Sequence, residues 1–487
     1  MRGFYLLIIM LVFSPLFQSG NRPIPLLVLE IVALALAGYV LAYPNKHSYI
    51  PKSQLVLLTG LIILPLAHLI PLPFYAWQAL PGHAHYAQAL INIDASNNGS
   101  VRATSLVPSM TEYSWLAILP PVMVFLFTLC LPKEQIKTAV MVFLGMAVFQ
   151  AILSLMQYGT GPQSILRFAD SPSGLGTYSN RDHFAGFLEM ALPLSLAMLT
   201  SSIGHSHGAR KHTRNIRQKL AMLASSYLNQ TVVYACVSVA ILLGLIFTQS
   251  RAGNVLAMVV ILLSTVAFSI RLGGKNVYGL LGTFTAISVM LAIEVGMAPV
   301  LNRFVHQDPL QDSRWEIFNT TITAIGEFFP VGSGIGTFNQ VFPRFQESGF
   351  SGTFVNHAHN DYLEWVMEGG FLAAILILLF LVLYFSRWTK VFKRGDWKTF
   401  NFIQVGAGIG MFAMILHTFV DFNLHIPANQ IYFAFLAALF FYQTINLTES
   451  AAMQPSEVVT KPLLSEAFPT PVEKKTYVVK SGNPFSD

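Results

Sequence analysis

The chain has 487 residues, of which 54% are hydrophobic and only 11% are charged, and its formal net charge is +6. A soluble domain usually carries about 25% charged residues, so this composition excludes a water-soluble globular protein. The apolar residues fall in blocks of roughly 17–22, the length that crosses a hydrocarbon core about 30 Å thick. The excess of Lys and Arg then indicates loops that face anionic lipid rather than a nucleic-acid partner.

The apolar blocks predict twelve transmembrane helices and therefore an all-α integral membrane protein. The blocks lie at about 4–18, 23–43, 53–72, 113–131, 136–156, 184–201, 230–248, 253–270, 277–297, 370–387, 400–420 and 426–445. We interpret the first as a membrane helix and not a signal peptide, because it lacks a clear small-residue cleavage site. Residues 1–447 are thus expected to form one polytopic membrane domain, and the polar residues 448–487 a disordered cytoplasmic tail.

The distribution of basic residues predicts the orientation in the membrane. With both termini in the cytoplasm, 21 of the 29 Lys and Arg residues lie on the cytoplasmic side, as the positive-inside rule requires. The basic segment 205–219 is then a solvated cytoplasmic loop. Three long loops face the other side, at about 74–112, 157–183 and 298–369. All eight basic residues outside are Arg, the residue suited to bidentate binding of phosphate or carboxylate.

A polar segment ends the third outside loop and leads directly into a membrane span. It holds His357, His359, Asn360, Asp361 and Glu364, and such residues at a membrane boundary are costly unless they are used. A helix that begins near Asn360 would place His357, Asp361 and Glu364 on one face. His359 at its mouth could accept a proton from an attacking hydroxyl near neutral pH. The alternative is a polar helix cap with interfacial aromatic anchors.

A metal site is a second interpretation of the same segment. His357, His359 and Asp361 supply ligand types that metallohydrolases use for zinc. Tyr362 stands where such a motif would have a further His, and Asp182-His183 is a weaker second cluster. We therefore expect no metal and no other cofactor, and a metal-dependent hydrolase remains an alternative.

Two outside arginines are candidates for binding an anionic substrate. Arg251 lies in a tight turn between two spans, and Arg314 opens an amphipathic stretch of the third loop. Both suit the diphosphate of a lipid-linked donor, whereas the alternative for each is anchoring at lipid headgroups.

Other outside segments supply glycine and further polar groups. The glycine-rich segment 329–338 lacks the context of a nucleotide loop and is expected to form a tight turn with close backbone approach. Asn180, Asp182 and His183 precede one span, and Asp421 lies between the last two spans on the same side.

Four motifs together resemble the O-antigen ligase and polymerase superfamily of bacterial membrane glycosyltransferases. They occur in the family's order and cover roughly residues 170–375. They are Gly176-Thr177-Tyr178-Ser179-Asn180-Arg181-Asp182-His183-Phe184-Ala185; Ser250-Arg251-Ala252-Gly253; Arg314-Trp315 with Pro330-Val331-Gly332-Ser333-Gly334-Ile335-Gly336-Thr337-Phe338; and His357-Ala358-His359-Asn360-Asp361-Tyr362-Leu363 with Glu368-Gly369-Gly370. One departure is Arg181-Asp182, where the family more usually has Pro-Asn.

The resemblance implies a GT-C-like helical fold in the bacterial inner membrane and a metal-independent transfer of a glycan from undecaprenyl diphosphate. His359 matches the family's essential His, and Arg251 and Arg314 match its diphosphate-binding arginines. His357, Asn360, Asp361, Asn180 and His183 are expected to support them. The implied acceptor is a saccharide, either lipid A-core or a growing polysaccharide.

Two other functions stay open on the sequence alone. A surface or exopolysaccharide polymerase of the same superfamily would differ from a ligase only in its acceptor. A lipid-linked glycan transporter or flippase would bind the same donor without chemistry, although such proteins tend to show inverted repeats and none is evident here.

Overall fold

The computed structural model describes residues 2–43, 50–93, 101–161, 174–210, 226–272, 282, 313–346, 354–393 and 397–443. The described residues belong to one compact unit, and residues 444–487 lie outside the described part. The disordered tail at 448–487 therefore stays a prediction. Of the expected basic loop 205–219, residues 205–210 continue a helix, and the rest lies outside the described residues.

The described residues are predominantly helical, which confirms the all-α integral membrane fold. In chain order the helices are α1 Arg2–Phe13, α2 Leu16–Ser19, α3 Pro23–Ala42, α4 Lys52–His68, α5 Phe74–Gln78, α6 Ala84–Asn92, α7 Pro108–Leu129, α8 Lys133–Thr160, α9 Arg181–Arg210, α10 Ser226–Phe247, α11 Arg251–Leu272, α12 Ser313–Phe328, α13 Phe338–Val341, α14 Asp361–Phe392, α15 Thr399–His417 and α16 Pro427–Phe441. Two short strands, β1 Pro71–Pro73 and β2 Val101–Ala103, pair antiparallel.

Eight of these helices are long and apolar enough to cross a membrane, within the part of the chain that the structure describes. Three further apolar helices, α1, α4 and α16, are shorter. Eleven of the twelve predicted spans coincide with a helix. The remaining one, 277–297, lies outside the described residues, so the count of twelve stays a prediction.

Helix α14 begins nine residues earlier than the predicted span at 370. It starts at Asp361 and passes through a break at Gly370, whose φ and ψ are 58° and −143°. Its first turns carry Asp361, Glu364 and Glu368, all buried. Hydropathy does not mark these turns as part of the span, because their side chains are polar. Such side chains are tolerated there because they are buried inside the protein.

Helix α9 lies at the centre of the bundle. Its residues 183–203 are all buried, and it packs against α10, α11 and α15. Small residues allow this close approach: a Cβ on Gly186 would meet Asn423 Oδ1 at 2.6 Å, and Ser238 donates a hydrogen bond of 2.9 Å to Ser195. The N-terminus of α9 therefore places Asp182 and His183 inside the protein.

Candidate functional site

The candidate site lies where helix ends meet the connection between α15 and α16. This connection, residues 418–426, includes the short 3-10 helix Asn423–His425. It is held against the start of α14, since the Asp361 amide donates to Thr418 O at 3.0 Å and Asn360 Nδ2 donates to Phe419 O at 3.0 Å. These bonds bring a loop from the C-terminal part of the chain beside the predicted polar segment 357–364, the histidine segment.

Asn360 begins helix α14 as its N-cap. Its Oδ1 accepts hydrogen bonds from the amides of Tyr362 and Leu363, both at 3.1 Å, which satisfies two donors that a helix start leaves open. The preceding residue, His359, has a φ of +50°. A non-glycine residue held in this region stores strain, and such residues cluster at functional sites.

His359 pairs with Asp421 across the site. His359 Nδ1 lies 3.1 Å from Asp421 Oδ1, and the Asp421 side chain is fully buried, whereas that of His359 is 23% exposed. A carboxylate only accepts hydrogen bonds, so Nδ1 carries the proton and Nε2 of the neutral ring holds the lone pair. The pair has the chemistry of an oriented general base.

Arg314 lies on the other side of Asp421, at the start of α12. Its guanidinium donates to Val420 O at 2.8 Å and to Asp182 Oδ2 at 3.3 Å, and it lies 4.0 Å from Asp421 Oδ2. Burial raises the pKa of Asp421, but the hydrogen bond with His359 and nearby charges, including Arg314, outweigh burial and hold this pKa well below its ordinary value. Asp421 is therefore ionised at neutral and mildly acidic pH.

The start of α9 supplies Asn180, Asp182 and His183. Asn180 Oδ1 accepts from the Asp182 amide at 2.8 Å, so Asn180 orients the residue that contacts Arg314. His183 is buried, and its Nε2 lies 3.9 Å from Asp421 Oδ1. The structure thus brings Asn180 and His183 to the site, as predicted for supporting residues.

A second cluster of ionisable side chains lies next to Phe422. His357 Nδ1 lies 2.7 Å from Glu364 Oε1. His425 contacts Asp361 Oδ1 at 2.6 Å through Nδ1 and Glu364 Oε1 at 3.2 Å through Nε2. Burial lowers the pKa of His425, but the carboxylates of Glu364 and Asp361 outweigh burial and raise it to about 10. His425 therefore carries a positive charge at neutral pH.

Phe422 contacts histidines of both clusters. Its ring stacks on His357 with 4.3 Å between centroids and meets His359 and His183 edge-on at 4.9 and 4.5 Å. The two predicted histidines therefore share the contact with Phe422 but have different carboxylate partners, Glu364 for His357 and Asp421 for His359.

Arg251 is the first residue of α11. Ser250 precedes it, and its Oγ accepts from the Gly253 amide at 3.0 Å. A Cβ on Gly253 would meet Ala185 Cβ at 2.6 Å, so the start of α11 packs against the first turn of α9. Arg251 therefore lies at the same end of the bundle as Asp182, and its side chain is partly exposed.

The glycine-rich segment 329–338 inserts into the break of α14. The Gly334 amide donates to Glu368 O at 2.9 Å, and the Phe371 amide donates to Pro330 O at 2.9 Å. Gly332 has a φ of +91°, and a Cβ there would meet Glu368 O at 2.2 Å. The predicted tight turn with close backbone approach is confirmed, and the segment hydrogen-bonds both sides of the break in α14.

Two groups of side chains have the donor types of a metal site, within the described ranges. They are His357, Glu364 and His425, and Asp182, His417 and Asp421, with donor atoms within 4.8 Å in each group. In the first group, His357 and His425 already pair with Glu364 Oε1, and in the second the Arg314 guanidinium lies against Asp182 and Asp421. The ligand set considered from the sequence is not brought together, because His357, His359 and Asp361 pair with Glu364, Asp421 and His425.

Sequence reasoning noted Asp421 only as a further polar group and did not identify His425, Phe422 or the buried pair of Glu189 and His417. The available signal was the spacing within the last connection, where Asp421, Phe422 and His425 fall in five positions between two apolar blocks. Polar residues in so short a connection between membrane spans are expected to contact other parts of the protein.

Residues 236–378 match the family model for O-antigen ligase. No curated protein sequence matches the chain. The matched segment includes Arg251, Arg314 and the histidine segment, and it ends before Asp421. The resemblance to the O-antigen ligase superfamily is therefore confirmed over residues 236–378 of this multi-pass membrane protein.

Proposed function

We propose that the chain is a glycosyltransferase of the O-antigen ligase type, which moves a glycan from undecaprenyl diphosphate to a saccharide acceptor at the periplasmic face of the inner membrane. The observation that carries this proposal is the arrangement of His359, Asp421 and Arg314 at the mouth of the bundle. The buried Asp421 carboxylate contacts His359, the oriented base, through Oδ1, and its Oδ2 lies 4.0 Å from the Arg314 guanidinium.

The reaction follows from these positions. Asp421 holds the proton of His359 on Nδ1, so Nε2 takes the proton from the acceptor hydroxyl. The hydroxyl oxygen forms a bond to the anomeric carbon while the bond from that carbon to the diphosphate oxygen breaks. The electron pair leaves with undecaprenyl diphosphate, and Arg251 and Arg314 stabilise its developing negative charge.

The two arginines supply the positive charge that a metal ion would otherwise provide, so the proposed transfer is metal-independent. The side chain of Arg314 is 26% exposed and so accessible to a donor. A guanidinium is planar and matches a diphosphate bidentately. We infer no cofactor and no nucleic-acid partner.

An apolar cavity supports a lipid-linked donor. It has a volume of about 250 Å³ and is lined mainly by side chains of α4, α7, α14 and α16. Along α14 its lining extends from Asp361 and Tyr362, beside the histidine segment, to Leu383, a distance of about six turns. An apolar cavity that begins beside the histidine segment suits the lipid part of a lipid diphosphate.

The acceptor distinguishes ligase from polymerase, because the chemistry at His359 is the same for both. The test is to reconstitute the purified chain with an undecaprenyl-diphosphate-linked glycan and to offer lipid A-core or a second lipid-linked glycan as acceptor. A covalent product with lipid A-core supports a ligase, and elongation of the lipid-linked glycan supports a polymerase. Movement of the donor across the vesicle membrane without a covalent product would instead support a transporter.

A further inference from the structure

A second buried ion pair lies behind Asp421, within the bundle. His417 Nδ1 is 3.1 Å from the Glu189 carboxylate, and both side chains are fully buried. Glu189 belongs to α9 and His417 to the last turn of α15. Ionisable residues inside a membrane bundle are costly and mark function more often than stability. Neither residue is part of the mechanism proposed above.

The pair is directed toward the carboxylates of the site. Glu189 follows Asp182 by seven residues on α9, so both lie on one face of that helix. His417 precedes Asp421 by four residues, and its carbonyl accepts from the Asp421 amide at 3.1 Å. Among the described residues, His417 Nε2 and Asp421 Oδ2 are both buried without a hydrogen-bond partner. Donor atoms of His417, Asp182 and Asp421 lie within 4.8 Å of one another.

We propose that Glu189 and His417 are positioning residues. Together they hold a positive charge behind Asp421 and thereby keep His359 able to accept the proton of the acceptor hydroxyl. This inference rests on the proposed function. Glu189 accepts the Nδ1 proton of His417 and balances its charge, and a ring nitrogen of His417 lies within 4.8 Å of carboxylate oxygens of Asp182 and Asp421. His359 contacts the same Asp421 carboxylate through Oδ1.

The balance of charge around the site explains why such a pair is useful. Among the described residues, the charged and titratable groups that face Asp421 are Asp182 and His183 from α9, Arg314 from α12, His359 from the histidine segment and His417 from α15. The anionic diphosphate brings negative charge to Arg314, which already pairs with Asp182 and lies near Asp421. A cation held by Glu189 inside the bundle continues to stabilise the two carboxylates after the donor binds.

The pH dependence of transfer distinguishes positioning from simple packing. In His417→Gln the positive charge is lost, so His359 holds its proton more tightly and becomes a free base only at higher pH. We expect the acid limb of the kcat profile to move upward by about one pH unit, which is about a tenfold loss of rate at a fixed pH on that limb. The KM for the donor should change by less than about threefold, because Arg251 and Arg314 are intact.

Two further variants keep the test decisive if His417→Gln does not fold. The double variant Glu189→Gln with His417→Gln removes both buried charges and should show the same upward shift of the acid limb. The single variant Glu189→Asp keeps the pair and should retain most of the parent's pH profile. The matched control is Gln404→Leu, which removes a buried polar group that hydrogen-bonds Leu439 O and Tyr442 O at the other end of α15. It should lower thermal stability without moving the profile.

A double variant that unfolds at lower temperature but has the parent's pH profile would overturn the inference, since the pair would then be structural. If the parent chain itself forms no glycan product with either acceptor, it is the proposed function that fails.

Discussion

Asp421 lies 3.1 Å from His359 although the two residues are 62 positions apart. The contact exists because Asn360 and Asp361 hydrogen-bond the backbone of residues 418–419, so the cap of α14 also fixes the loop that carries Asp421. The histidine that the sequence marked as the base thus has its orienting partner on a connection between two other helices.

Asp421→Asn should reduce transfer strongly while the protein still inserts into the membrane. The amide does not carry the charge that stabilises a protonated His359, and its NH2 group can favour the wrong ring tautomer. We expect kcat to fall by about 10²- to 10⁴-fold. Asp182→Asn is the matched control, because Asp182 contacts Arg314 but not His359, and it should affect donor binding more than kcat. A rate for Asp421→Asn within a few-fold of the parent would remove Asp421 from the mechanism.

Much of the fold could be predicted from the sequence because the membrane sets the length of each apolar block. Eleven of the twelve predicted spans have a helix at their position, and the cap at Asn360 and the turns of the glycine-rich segment depend on local backbone chemistry that residue types reveal. The apolar span was placed at 370 and so begins nine residues after the start of α14, which the polar segment alone indicated, since hydropathy does not report polar turns that are buried in protein.

The pairing of side chains could not be predicted in the same way. His359 with Asp421, His425 with Asp361 and His417 with Glu189 are separated by 62, 64 and 228 positions. No periodicity links such residues, because their contacts depend on how helices pack and not on how each helix forms. The spacing argument did place His357 with Glu364, but through the loop before α14 and not along a helix face.

Replacing either arginine by lysine should lower activity at equal membrane abundance. An ammonium is a point charge and does not reproduce the bidentate contact of a guanidinium with diphosphate. Each lost charge-assisted hydrogen bond costs on the order of 1.5–3 kcal/mol, or about 10- to 150-fold in rate if it acts in the transition state. The measurement is transfer by Arg251→Lys and Arg314→Lys, with Arg344→Lys as the control, since Arg344 pairs with Glu327 away from the histidines. Full activity in the first two variants would favour headgroup anchoring.

Chelation should leave transfer intact if the arginines provide the positive charge. Purified protein dialysed exhaustively against EDTA is expected to retain its rate, and added zinc or manganese should not increase it. The assay needs saturating donor, so that any ion associated with diphosphate in solution does not limit the reaction. Loss of activity that zinc or manganese restores would instead favour the metal interpretation, with His357, Glu364 and His425 as the first ligands to substitute.

The orientation of the chain can be tested with two reporter fusions. The asymmetry of basic residues predicts that a reporter after Gly349 is periplasmic and that one after Gly395 is cytoplasmic. Alkaline phosphatase should be active only at the first position, and a cytoplasmic fluorescent protein only at the second. Both reporters on one side would contradict the predicted topology and would separate the histidine segment from a periplasmic acceptor.

The two neighbouring histidines should respond very differently to substitution. His359 contacts Asp421 and is held at a φ of +50° at the mouth of α14, whereas His357 is turned toward Glu364 and stacks on Phe422. His359→Ala removes the proposed base, so transfer should fall by about 10²- to 10⁴-fold, while donor binding remains because the arginines hold the diphosphate. His357→Ala removes one supporting hydrogen bond and should cost no more than about tenfold.

Glycan transfer and binding of the undecaprenyl-diphosphate donor should be measured for both variants at matched abundance. An active His359→Ala beside an inactive His357→Ala would transfer the role of base to the cluster of Glu364 and His425, because His357 is hydrogen-bonded to that cluster. If both variants stay active, the histidine segment is structural, and the acceptor hydroxyl must lose its proton to another group. If His359→Ala loses donor binding together with transfer, the residue holds the diphosphate instead, and the arginines alone do not define the donor site.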